Sequence, residues 1–230
     1  MVTVLFLTCK RLQYLHKTAA AIRRHFNEVE PQARPAYICL DNGSPSTDRQ
    51  LLEAMGFDLL ILSRENLGIG PAMNVLVSAV RTPYVLNLQD DWLLENPRQI
   101  PFFAEACQIF ESDPKVGQVK LDSYHHLDFK DRTFYDGPFS AKGKIGHYVQ
   151  NPGMLWGGFT FPPAITRMSA VYDVGPFTEE QPFRRGWAES EYSARSSRKY
   201  VSVKSPEFLL FKHIGDQPSP GWIQEQGNQV

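Results

Sequence analysis

Two adjacent aspartates close an apolar stretch and are the residues of this sequence best suited to chemistry. In YVLNLQDDW, residues 84–92, a mostly apolar run leads through Gln89 to Asp90 and Asp91. Neighbouring negative charges repel, and each carboxylate costs free energy to remove from water, so we expect a positive charge beside them. Mn²⁺ or Mg²⁺ suits such hard oxygen ligands and often bridges them to a substrate's phosphates, so the doublet predicts a metal site that holds a diphosphate. The alternative is a solvated strand end with two turn-forming acids.

Strand and helix patterns alternate through the first half of the chain. Continuous apolar runs predict strands at VTVLFLT, AYICL, DLLIL and YVLNL. Apolar spacing predicts helices in RLQYLHKTAAAIRRHF and GIGPAMNVLVSAV, and a shorter helix that Ser46 or Thr47 would cap and Gly56 would end. This alternation, with strands apolar on both faces, indicates an α/β fold with a parallel sheet covered on both sides.

The second half has a different composition. A helix is expected near 101–111, before Asp113 and Pro114. The stretch 125–153 is rich in Gly, Pro and aromatic residues and predicts hairpins or loops. A strand in WGGFTFPPAI, a helix in WAESEYSARSSRKY, a strand in FLLFKHIGD and a polar tail follow. No linker or internal repeat divides the chain, which favours a single domain over 1–230.

The overall composition excludes some classes of partner. The 230 residues are 42% hydrophobic and carry a formal net charge of −1, so no global field attracts nucleic acid or an anionic membrane. Three scattered cysteines predict reduced thiols and a cytoplasmic location. The opening apolar run is too short for a membrane span and its positive charges follow it, so neither a span nor a signal peptide is expected. The chain could also be one domain of a longer protein.

Polar residues follow every predicted strand of the first half. Ligands of open parallel sheets bind outside the carboxyl ends of the strands, which makes this edge the expected site. There is no GxxxxGK[ST] or GxGxxG pattern, so phosphate binding of the P-loop or dinucleotide-fold type is not expected. The strand-end residues are Thr8, Cys9, Asp41, Asn42, Arg64 to Asn66 and Gln89 to Asp91.

Four segments in order resemble the family-two-like glycosyltransferases of the GT-A fold. They are TVLFLTCKR, YICLDNGSPSTD, NLGIGPAMNVLVSA and YVLNLQDDW. Asn66, Gly68, Ala72 and Asn74 fit the family's Asn-x-Gly-x-x-x-Ala-x-Asn pattern. The resemblance covers residues 2 to 92 well and 155 to 215 more loosely. It implies a mostly parallel central sheet flanked by helices, with an added antiparallel or hairpin region on the acceptor side.

The resemblance also implies a division of labour along the chain. Residues 1–92 would form the nucleotide-binding half, 93–216 the acceptor-side half and 217–230 a tail. In the first half, Thr8 and Asp41 would hold the base and Asn66 would lie near the nucleotide pocket. Asp90 would face the ribose or the metal, and Asp91 would bind the metal, in the manner of a DXD motif.

The later residues complete the implied site. Glu189 falls where the family places its catalytic base, and Glu191 lies two residues further on. The family usually has Glu-Asp-x-Asp here, whereas this chain has Ala-Glu-Ser-Glu, so either carboxylate could act as the base. His213 follows the last apolar strand, where the family often places a histidine near the metal or diphosphate. Of the aromatic residues, Trp156 and Trp187 are the first candidates to stack on a sugar, and His125 and His126 are expected to be structural or on the acceptor side.

The resemblance implies a metal-dependent, inverting transfer of a sugar from a nucleotide-diphosphate sugar to a glycan or other hydroxyl acceptor. Mn²⁺ or Mg²⁺ is the implied cofactor, and a UDP-sugar is the commoner guess for the donor. One alternative is a sugar-1-phosphate nucleotidyltransferase, which would need a Gly-rich basic loop where this chain has TCKRLQYL. The other is a carbohydrate-binding module without catalysis, which Asp90, Asp91 and Glu189 disfavour.

Overall fold

The computed structural model describes residues 1–121, 133–134, 148–149, 159–180, 187–204 and 209–215. In chain order the strands are β1 Val2–Thr8, β2 Ala36–Asn42, β3 Leu59–Ser63, β4 Tyr84–Gln89, β5 Trp92–Leu94, β6 Val116–Lys120, β7 Thr133–Phe134, β8 Tyr148–Val149, β9 Ala164–Arg167, β10 Val201–Lys204 and β11 Phe211–His213. The helices are α1 Leu12–Glu28, α2 Arg49–Ala54, α3 Ile69–Ala79, α4 Phe102–Ser112, α5 Met168–Val174 and α6 Trp187–Ser196.

A mostly parallel sheet of seven strands forms the centre of the molecule, in the order β10-β6-β9-β4-β1-β2-β3. Only β9 runs antiparallel to its neighbours, β4 and β6. Two small antiparallel pairs, β5 with β11 and β7 with β8, complete the described strands. The predicted α/β fold with an added antiparallel region is therefore confirmed.

Hydrophobic clusters cover both faces of the sheet. Successive side chains of a strand point to opposite faces, so Val4 and Phe6 pack in one cluster while Leu5 packs in the other. Helices α1 and α4 contribute to the first cluster, and α3 and α6 to the second. The apolar character of β1 on both faces, read from the sequence, is explained by this double cover.

Several local predictions differ from the structure. Neither Ser46 nor Thr47 caps α2, because residues 46–48 form a 3₁₀ turn and α2 begins at Arg49 without a side-chain capping bond. The strand expected in WGGFTFPPAI begins only at Ala164, after two prolines that have no N–H to give to a sheet. Helix α6 ends at Ser196, and the last residues of its predicted range lead into β10, which was not foreseen.

No helix in the described ranges is both long and apolar enough to cross a bilayer. The three cysteines are free thiols, of which Cys39 is buried. His125, His126 and Trp156 lie outside the described residues. The division of the chain into two functional halves and a tail stays a prediction.

A buried glutamate after α1 caps the first turn of α4. Glu30 is fully buried and accepts hydrogen bonds from the backbone N–H groups of Phe103, at 3.2 Å, and Ala104, at 2.8 Å. Its other neighbour is His25, whose Nε2 lies 2.7 Å from Glu30 Oε2. The first N–H groups of a helix have no partner within the helix, so this carboxylate satisfies donors that would otherwise be buried unpaired.

Replacing Glu30 with alanine should therefore destabilise the fold. We expect Glu30→Ala to lower the free energy of unfolding by about 3 kcal/mol, because it leaves several buried donors without an acceptor. Urea unfolding followed by circular dichroism measures this. The exposed Glu28 is the matched control, and Glu28→Ala should change the value by less than about 0.5 kcal/mol. Equal effects of the two substitutions would contradict the capping role.

Candidate active site

The carboxyl ends of β1, β2 and β4 meet at one edge of the sheet, as the sequence predicted. The register pairs Thr8 with Asp41, and Leu7 with Gln89, the residue before the aspartate doublet. The side chains at these ends make direct contacts. Residues far apart in sequence therefore form one polar cluster, which is the candidate active site.

Asp90 and Asp91 are buried at this edge, with only 4% and 3% of their surface exposed. The Thr8 hydroxyl donates a hydrogen bond of 2.8 Å to Asp90 Oδ2. The Thr18 hydroxyl, from α1, donates another of 2.8 Å to the Asp90 carbonyl. Neither aspartate lies in bulk water, so the alternative of a solvated strand end is excluded.

Arg11 supplies a positive charge that the sequence analysis did not assign. It stands between β1 and α1, and its Nη2 lies 2.7 Å from Asp91 Oδ2 while Nη1 lies 3.6 Å from Asp90 Oδ1. The guanidinium also lies over the Tyr14 ring, 4.9 Å from its centre. The expected cation beside the doublet is thus present in the chain itself. Its signal in the sequence was an arginine in the short segment between β1 and α1.

The protonation of Asp90 reflects this setting. Burial raises the pKa of Asp90 to about 7; the Arg11 charge opposes the rise, the neighbouring Asp91 charge adds to it, and the hydrogen bonds from Thr8 and the Cys9 backbone oppose it. Burial also raises the pKa of Asp41, against two hydrogen bonds from Ser44.

His213 reaches the doublet through the pairing of β11 with β5. His213 lies opposite Trp92 in this pair, and its Nε2 lies 3.0 Å from Asp91 Oδ2. The next residue, Ile214, donates its backbone N–H to the Asp91 carbonyl at 2.8 Å. A histidine and an aspartate more than a hundred residues apart are therefore neighbours, and their shared role at a metal stays a prediction.

The donor atoms at this point suit a divalent ion, although the described residues form no ready cluster of three His, Cys, Asp or Glu ligands. Asp91 Oδ1 is buried and accepts no hydrogen bond from any residue within the described ranges. Carboxylate oxygens with an adjacent imidazole fit Mn²⁺ chemically. Asp90, Asp91 and His213 fit such an ion only if the Arg11 guanidinium moves away from Asp91.

A second group of polar residues surrounds the turn after β2. Asp41 accepts two hydrogen bonds from Ser44, from its hydroxyl and from its backbone N–H. Asn42 donates to Asn66 Oδ1 at 3.0 Å and accepts from the Leu67 backbone at 2.8 Å. Asn66 also accepts from the Gly68 N–H at 2.9 Å, at the beginning of α3. Asp41 and Asn66 are thus held in fixed positions beside the site, with Asn42 as the buried residue that joins them.

Glu189 lies in the first turn of α6, and its carboxylate is held in place. Its Oε1 accepts hydrogen bonds from the Thr160 hydroxyl, at 2.9 Å, and the Phe161 backbone, at 3.0 Å. Thr160 is fixed in turn by Gln118, whose amide exchanges two hydrogen bonds with the Thr160 backbone. A buried network from β6 therefore orients the carboxylate predicted to be the base.

Glu191 makes a different set of contacts. Both of its oxygens pair with Arg195, at 2.5 and 2.8 Å. Arg195 also donates to the carbonyls of Val174 and Pro176, at 2.8 and 2.7 Å. The Glu191–Arg195 pair thus fastens the end of α5 to α6. Of the two tryptophans predicted to stack on a sugar, Trp187 is half-buried at the beginning of α6, and Trp156 lies outside the described residues.

No family model matches the sequence, and no curated protein matches it. Solved structures do match. TarS 1–349 of S. aureus in complex with UDP-GlcNAc has a TM-score of 0.68 at 12% identity, covering 100% of this chain and 61% of that one. The mannosyltransferase PcManGT of Pyrobaculum calidifontis in complex with GDP-Man and Mn²⁺ has a TM-score of 0.64 at 15% identity, covering 98% of this chain and 60% of that one. At these identities the likeness establishes the fold, so the predicted GT-A-type fold is confirmed. The chain spans about three fifths of the length of these two structures.

The raised pKa of Asp90 predicts how stability depends on pH. The folded pKa of about 7 exceeds the unfolded value of about 3.9, so between these values the native state holds the proton more tightly than the unfolded chain. The contribution of Asp90 to the free energy of unfolding therefore falls as pH rises from about 4 to about 7. We expect Asp90→Asn to flatten the measured stability across this range, in urea titrations with a chelator present.

The control for this pH profile is Asp173, an exposed aspartate whose pKa is lowered by hydrogen bonds from Lys199 and Tyr200. Asp173→Asn should keep the wild-type fall in stability between pH 5 and pH 7. A profile that Asp90→Asn leaves unchanged would show that Asp90 titrates normally in the folded chain.

Proposed function

We propose that this chain is a metal-dependent glycosyltransferase that moves a sugar from a nucleotide-diphosphate sugar to an acceptor hydroxyl, with inversion at the anomeric carbon. The observation that carries the proposal is the meeting of Asp90, Asp91 and His213 at the carboxyl edge of a GT-A-type sheet. The structural neighbours support it, because they include a mannosyltransferase with GDP-Man and Mn²⁺ and a complex with UDP-GlcNAc.

The donor nucleotide would lie along the turn after β2. Asp41 and Asn66 are the residues we propose beside the base and the nucleotide, since both are fixed at this edge by neighbouring groups. Thr8 was also predicted to meet the base. Its hydroxyl is bonded to Asp90 and its surface is 1% exposed, which favours a role in orienting Asp90 toward the ribose or the metal.

Asp91, Asp90 and His213 are the residues that would hold Mn²⁺ or Mg²⁺. The orphaned Asp91 Oδ1 is the oxygen best placed to accept such an ion. When bound, the ion would neutralise negative charge on the departing diphosphate.

Glu189 is the base we propose. It would take the proton of the acceptor hydroxyl as that oxygen forms its bond to the anomeric carbon and the bond from that carbon to the diphosphate breaks. The hydrogen bonds from Thr160 and Phe161 leave the carboxylate little freedom to turn. Glu191 is engaged by Arg195, so of the two predicted carboxylates Glu189 is favoured.

A substitution at Glu189 tests the base. Glu189→Gln keeps an oxygen that can accept both hydrogen bonds but cannot take up the proton, so transfer should slow by about 100- to 10,000-fold with donor affinity unchanged. Glu191→Gln is the matched comparison. It weakens the ion pair with Arg195, so it should lower the melting temperature and leave turnover nearly unchanged. If Glu191→Gln instead lost turnover while Glu189→Gln kept it, the roles would be reversed.

A substitution at Asp91 tests the metal. Asp91→Asn should lower Mn²⁺-dependent transfer at least about 100-fold, equivalent to roughly 3 kcal/mol of transition-state stabilisation. The variant's far-UV spectrum and its unfolding curve check that it is folded. Transfer at the normal rate would show that Asp91 is not needed for metal-dependent transfer.

The donor can be found by thermal shift with a panel of nucleotide sugars, each with and without Mn²⁺. A ligand of the native state raises the melting temperature, and we expect at least one nucleotide sugar to do so more strongly with Mn²⁺ than without it. A shift with free glycan alone would instead support a carbohydrate-binding module.

A further inference from the structure

The ion pair between Arg11 and the two aspartates occupies the position where a divalent ion would have to bind. Arg11 Nη2 lies 2.7 Å from Asp91 Oδ2, the same oxygen that His213 contacts. A guanidinium and a dication cannot both share that oxygen without strong mutual repulsion. Arg11 and the ion must therefore compete.

The contact between Arg11 and Asp91 is geometrically imperfect. Despite the short distance, Nη2 has no aligned hydrogen-bond partner in the described part of the chain, and the same holds for Asp91 Oδ1. Both atoms are buried, so water does not compensate them, and a buried polar atom without a partner costs free energy. A guanidinium forms its best hydrogen bonds in paired, planar contacts with carboxylate or phosphate. The present arrangement leaves part of that capacity unused.

The segment after β11 closes over this pair. Ile214 is bonded to the Asp91 backbone, and Gly215 packs so closely that a β-carbon there would collide with Arg11 Nη2 and Asp91 Oδ2. Arg11 is consequently confined from one side by Gly215 and from another by the ring of Tyr14.

We propose that Arg11 is an internal counter-ion that keeps the divalent ion out of the free enzyme and releases the aspartates when a nucleoside diphosphate offers it phosphate oxygens. This inference rests on the proposed function, and it makes metal binding conditional on the nucleotide. The diphosphate brings the paired acceptors that Arg11 lacks, and the vacated Asp91 oxygens then become available to the ion. Arg11 is thus a positioning residue that sets the order of binding.

Mn²⁺ binding without nucleotide tests the proposal directly. Electron paramagnetic resonance of free Mn²⁺ would measure the affinity for the ion in wild type, Arg11→Met, Arg11→Lys and Lys10→Met, all at one pH. Arg11→Met removes the charge and keeps the apolar stem, so the affinity should rise about tenfold or more as the repulsion is lost. Arg11→Lys keeps the charge and should remain near wild type. Lys10→Met makes the same change in net charge at the exposed neighbouring residue and should change the affinity less than about threefold.

The outcomes separate this inference from the proposed function. Suppose that Arg11→Met binds Mn²⁺ no more tightly than wild type, while UDP with Mn²⁺ still stabilises both proteins. The inferred competition between Arg11 and Mn²⁺ is then wrong, and the proposed metal site is retained. If Lys10→Met raises affinity as much as Arg11→Met, the effect is only long-range and the counter-ion role is overturned. If Mn²⁺ binds neither protein, with or without UDP or GDP, both the inference and the proposed metal site fail. An unfolding curve for each variant shows that the comparison is made between folded proteins.

Discussion

Two carboxylates buried side by side must be compensated, and this constraint organises the candidate active site. Asp90 and Asp91 receive hydrogen bonds or charge from β1, from the segment that enters α1, from α1 itself and from β11. Each of these contacts joins parts of the chain that are distant in sequence. The cluster therefore has a structural role in addition to the function proposed for it. It also fixes where the first strand, the first helix and the last described strand lie relative to one another.

The fold was largely predictable from apolar periodicity, because strands buried on both faces and helices with one apolar side leave strong patterns. Strands β1 to β4 and helices α1 and α3 were all indicated in this way. The three-residue strand β5 and the seven-residue helix α5 were not, since such short elements are defined by their neighbours and contain too few residues to show a period. The predicted cap of α2 was wrong because whether a hydroxyl caps a helix depends on the backbone before the helix. Here that backbone forms a 3₁₀ turn.

The site was predictable in its residue types and less so in its contacts. Adjacent aspartates after an apolar strand carry a local signal, and the sheet topology rule placed Asp41 and Asn66 near them. The approach of His213 to Asp91 depends on the antiparallel pairing of β5 with β11, which no local pattern contains. An arginine after a strand is usually a solvated side chain, and the burial of Arg11 follows only from the closure of the chain over it. The structure defines the contacts of Thr8, Glu189 and Glu191, and their functional roles stay predictions.

The position of β9 has a consequence for how the chain acquires its shape. This strand lies between β4 and β6 and is antiparallel to both, so Tyr84 pairs with Arg167 and Lys120 with Ala164. Strands β1 to β4 are close together in sequence and can pair with one another first. The outer edge of β4 then keeps its backbone groups unpaired until β9 is available. Such an open border invites pairing with other chains, and contacts between distant segments slow folding. Strand β9 thus joins β4 to β6, and a chain that ended before it would leave the edge of β4 open to pairing with other chains during synthesis.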